Sequence, residues 1–151
     1  MSIVIFKFRP EMIGFNHSEN KNLGRIYEPY KCFDPNFQIY NEQNTLKYLV
    51  AGDCCQCGVM FKSLGKCYET KFYIFDANNS SRDPSQSIGS IIREKRGTFK
   101  AIATDADNFD VTFPENATPL EKLMIIGATL MIDYTFFEDE AGNNNNNHHH
   151  Y

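Results

Sequence analysis

TPLEKLMIIGATLMIDYTFFE, from Thr118 to Glu138, is long and apolar enough to be buried whole, and no other stretch of the chain is. Thr118 suits an N-cap, Pro119 the first helical position, where a missing N–H costs nothing, and Glu121 completes a T-x-x-E capping box. From Leu123 to Phe137 only Gly127, Thr129, Asp133 and Thr135 are neither aliphatic nor aromatic, and they gather into no polar stripe. A helix apolar on nearly every side is buried or in lipid. That run would span roughly 22 Å at about 1.5 Å per residue, short of a hydrocarbon core of roughly 30 Å. Asp133 near a bilayer centre would add about 2.5–3.5 kcal/mol. A core helix surrounded by strands is therefore expected, with Leu120, Leu123, Ile126, Leu130, Asp133 and Phe137 on the helix that meets core or membrane.

Upstream, the pattern is that of short strands. Ser2 to Phe8 is β-rich and stops at Pro10, Asn16 to Asn22 is a polar loop, and Leu23 to Glu28 reads as a strand ended by Pro29. Phe37 and Ile39 alternate with Gln38, Asn41 to Asn44 turns, and Leu46, Tyr48 and Val50 alternate again. Tyr68, Thr70, Phe72 and Ile74 mark a further strand ending at Asp76, followed by a polar loop from Asn78 to Gln86. Ile88 to Arg93 is expected to pair with Thr98 to Ala103, and Phe109, Val111 and Phe113 alternate before Pro114. Strands at this spacing imply a mainly β domain, an antiparallel sheet curling towards a barrel, with one long buried helix.

The 151 residues fit one domain, expected over residues 1–140, and 42% hydrophobic content allows a real core. The Asn- and His-rich tail, residues 141–151, is low-complexity and joins no core. Fifteen basic residues against nineteen acidic ones give a net charge of −4, so no global basic field exists for nucleic acid, and none is expected as a partner. The first residues lack the pattern of a signal peptide, so synthesis in the cytosol is expected. The only His outside the tail is His17, no Ser or Cys nucleophile pattern accompanies it, and no glycine-rich phosphate loop follows a strand. A conventional enzyme is therefore not expected.

Thr104 to Phe113, TDADNFDVTF, runs through Pro114 into a helix ending MIDYTFFE. This resembles the C-terminal signature of the phospholipid scramblase family, which carries a TDADNF segment, a Phe-Pro and a final apolar helix. Leu23-Gly24-Arg25-Ile26 resembles the family's IG-x-V strand, Phe37 to Glu42 its FTIQNE, and Leu46 to Gly52 its VLKI-x-G, while Ile88-Gly89 and Gly97 also fall in place. The resemblance covers about Ile3 to Glu138 and about the second half of the family domain. It implies a partial tubby-like antiparallel β-barrel around a C-terminal central helix. A half barrel has exposed edges, so the resemblance implies a fragment, a truncated paralogue, a half completed by a protein partner or by self-association, or a rearranged barrel.

The resemblance also implies function: calcium-responsive, ATP-independent movement of phospholipids between leaflets, at the cytosolic face of the plasma membrane or another membrane. The alternative is a peripheral tubby-like lipid-binding or protein-interaction module without scrambling activity, cytoplasmic when unbound. Calcium is the implied cofactor, on an EF-hand-like segment in which Asp105 and Asp107 give carboxylates, Phe109, Val111 and Phe113 occupy the odd positions, and Asn116 closes the loop. Asp110 replaces the usual central glycine and Asn116 the usual final acid, which weakens binding. The competing reading makes Phe109, Val111 and Phe113 the inward face of a strand.

Cys54, Cys55 and Cys57, with Cys67 or Cys32, contain one C-x-x-C and lack the second that a strong zinc site has. Zinc, lipidation and free thiols all remain open for them. Arg93, Lys95, Arg96 and Lys100 are expected at a solvated hairpin tip.

Overall fold

The computed structural model describes residues 10–29, 35–52, 69–79, 81–94 and 108–136, the side chains of Glu69 and Glu94 excepted. Among these residues seven strands run in order: β1 (Glu11–Asn16), β2 (Lys21–Tyr27), β3 (Asn36–Asn41), β4 (Leu46–Gly52), β5 (Glu69–Asp76), β6 (Gly89–Glu94) and β7 (Asn108–Thr112). They form one antiparallel sheet in chain order β1 to β7, curled into a half-barrel, and one helix, α1 (Pro119–Phe136), follows.

Asparagines set the two tight turns. At β1–β2, Asn16 Oδ1 accepts from the Ser18 N–H at 3.0 Å and Asn20 takes φ 50°. At β3–β4, Asn41 Oδ1 accepts from the Gln43 and Thr45 N–H groups at 3.0 and 2.8 Å, and Asn44 takes φ 58°. Asn tolerates this region because its short amide bonds locally to the backbone. In the longer β5–β6 connection, Asp83 caps the 3-10 turn Pro84–Gln86 through the Ser85 N–H at 2.9 Å.

The capping box forms as its residues predict. Thr118 donates from N–H and Oγ1 to Glu121 Oε2 at 2.8 and 2.9 Å, and Thr118 Oγ1 accepts the Glu121 N–H at 3.3 Å. Burial tends to raise the Glu121 pKa, but the Thr118 bonds, the Lys47 ammonium 3.8 Å away and a bond with Tyr48 hold it below the ordinary carboxylate range. The same carboxylate, added to burial, holds the Tyr48 phenol above its ordinary value.

One face of α1, formed by Met124, Ile125, Ala128, Met131 and Ile132, is buried against Met12, Ile26, Phe37, Ile39, Val50, Phe72, Ile74 and Ile91 from the concave side of the sheet. The helix sits on β1, β2 and β3. Its last turn is held by Phe136, edge-on to Phe37 at 6.0 Å and stacked on Phe72 at 6.2 Å. The N-terminal half comes close to the sheet because glycines line the approach. A Cβ on Gly127 would lie 2.9 Å from Ile26 Cδ1, and Gly14 and Gly24 lie directly beneath Met124.

Three readings of the sequence are corrected. A strand, Glu11–Asn16, occupies a stretch to which the periodicity assigned nothing, because Gly14 interrupts its apolar alternation. β6 is flanked by β5 and β7, and Thr98 to Ala103 lies outside the described residues. Arg93 is not at a solvated tip: it alternates inward with Ile91 on β6 and is only 8% exposed. The helix is not buried whole, since Leu123, Ile126 and Leu130, with Tyr134, remain 37–50% exposed. Among the described residues the sheet packs on one side of α1 only. Ser2 to Phe8, Lys95, Arg96 and Phe137 lie outside the described residues, as do Lys100 and the 141–151 tail.

Candidate functional site

The exposed side of α1 is the surface that its packing leaves unexplained. At about 100° per residue, Leu123, Ile126, Leu130 and Tyr134 fall into one stripe opposite the buried face. The stripe runs into an apolar groove between α1 and the edge strand, lined by Met12, Gly14, Leu23, Ile26, Leu123, Met124 and Gly127. A second apolar groove beside it is lined by Leu23, Ile39, Tyr40, Leu120 and Met124, with Lys47 and Glu121 at its rim. Isolated exposed apolar residues are ordinary, and four in one stripe beside small apolar recesses make this side of α1 the candidate for a contact surface.

The convex face differs. Arg25 Nη1 lies 3.3 Å from Glu11 Oε1, with its guanidinium 4.5 Å from the Tyr40 ring and 5.8 Å from that of Tyr27. Lys21 meets Glu42 at 2.5 Å, which raises the lysine pKa and lowers that of the glutamate. Each of these two cations is engaged by a carboxylate. Phe75, Ala51 and Asn36 are also buried on this side, pointing away from the helix. Their strand parity was readable in the sequence, but nothing there signalled cover on a second face.

Residues 109–112 of the proposed calcium segment lie in β7 rather than in a wrapped loop. Phe109 and Val111 point towards the core, Phe113 and Phe136 also pack on it, and Asp110 and Thr112 face solvent. At about 3.3 Å per residue, positions 109 and 113 of an extended chain stand roughly 13 Å apart, whereas calcium holds its oxygens at about 2.3–2.6 Å. Phe109, Val111 and Phe113 therefore do not converge on one ion. Asn116 lies in the turn before α1. Among the described residues no group of three or more His, Cys, Asp or Glu could hold a metal. Asp105 and Asp107, and Cys32, Cys54, Cys55, Cys57 and Cys67, lie outside those residues. On α1, Leu120 and Asp133 are half-buried, the latter flanking the exposed stripe.

A curled antiparallel sheet cradling one C-terminal apolar helix is the architecture expected of the family signature, and comparison with known proteins agrees. The sequence model of the family described as Scramblase matches residues 4–139, and the chain belongs to that family. It is 29% identical over 116 residues to phospholipid scramblase 1 of Homo sapiens, covering 77% of this chain and 33% of the relative. It is 30% identical to phospholipid scramblase 2 of Bos taurus, over 80% of this chain and 37% of that protein. It is 34% identical to phospholipid scramblase 4 of Homo sapiens, over 77% and 31% respectively. The chain thus spans about a third of the length of these relatives. No solved structure matches it.

Proposed function

We propose that this protein engages phospholipids from the membrane surface, as a peripheral non-catalytic module of the scramblase family. One observation carries the peripheral part: α1 is committed to the sheet. Its 18 residues would reach about 27 Å. Among the described residues no helix is long and apolar enough to cross a membrane. Drawing α1 into a bilayer would uncover Phe37, Ile39, Phe72 and Ile74 on the sheet, each side chain worth about 1.5–3 kcal/mol of burial. Lipid as the ligand is supported by the names of the relatives, phospholipid scramblases 1, 2 and 4.

Those names favour a second reading, movement of phospholipids between leaflets; its calcium response, ATP independence and place at the cytosolic face of a membrane rest on the family resemblance of the TDADNF segment alone. Calcium would then rest on Asp105 and Asp107 with other oxygens, not on a loop through β7.

Vesicles labelled on one leaflet separate the two. The peripheral reading expects the chain to co-sediment with vesicles while flipping no more label than empty vesicles do. Flipping above that background, abolished in Asp105→Ala and in Asp107→Ala, would replace it with the transbilayer reading.

A further inference from the structure

We draw no further inference here: the strongest candidate, the apolar stripe of Leu123, Ile126, Leu130 and Tyr134 along the exposed side of α1 with the recess beside it, has nothing among the described residues to show what covers it.

Discussion

Gly24→Ala should destabilise the fold strongly, although it adds one methyl group. Gly24 has φ +147°, and a Cβ there would lie 2.5 Å from the Tyr40 carbonyl oxygen and 3.0 Å from Met124 Cε. Ordinary contact begins near 3.4 Å, so about 0.9 Å must be found between β2 and β3. Those strands are held in register by the Gly24–Asn41 and Ile26–Ile39 pairs, so the oxygen cannot retreat without disturbing the ladder. Backbone strain of about 1–3 kcal/mol and overpacking of a further 1–3 kcal/mol give a loss of roughly 2–6 kcal/mol. A domain of this size is stable by only about 5–15 kcal/mol, so the loss is large. Gly127→Ala is the matched control. Its Cβ would meet only Ile26 Cδ1 at 2.9 Å and Met12 Sδ at 3.2 Å, both ends of side chains, while Ala improves the helix by about 1 kcal/mol. Urea unfolding of the two variants should place Gly24→Ala far below Gly127→Ala. A Gly24→Ala loss under about 1 kcal/mol would refute the close approach of β2, β3 and α1 on which the reasoning rests.

On α1, Ile132→Ala should cost about 2–5 kcal/mol because Ile132 is 0% exposed, whereas Leu130→Ala at 50% exposure should leave the monomer's stability within about 1 kcal/mol. Denaturant midpoints measured at low protein concentration give the comparison, and equal losses would mean that the two faces have been exchanged. Glu121 is held below its unfolded pKa, so its contribution is present above about pH 4.3 and is lost as pH falls through the lower folded value. Glu121→Gln should therefore be less stable than the native chain at pH 7, with the gap closing in acid. Glu28, which burial holds above its ordinary value, contributes the opposite slope and is unchanged in both proteins, so the difference isolates Glu121.

The elements were legible where local chemistry fixes them. The T-x-x-E box marked the start of α1, Asn41 to Asn44 marked the β3–β4 turn, and period-2 alternation marked the inward faces of β3, β4, β5 and β7. Each signal lies within a few residues of the bond or contact it creates. β1 was hidden because Gly14, which gives it room beneath Met124, also breaks the apolar pattern. Arg93 resembled surface because a cation's burial depends on what the rest of the sheet places around it.

The sequence by itself determined the described strands other than β1, the β3–β4 turn, the capped helix and, through TDADNF and the motifs upstream, the family. Tertiary structure decided which side of α1 is covered. The helix is apolar nearly all round, so its sequence carries no polar stripe to choose a face. The choice falls to the curvature of the sheet and to glycines at 14, 24 and 127 that admit Met124 and Ile26 on one side only. Leu123, Ile126, Leu130 and Tyr134 are left outward by that choice, and a surface created by packing elsewhere has no local signature to read.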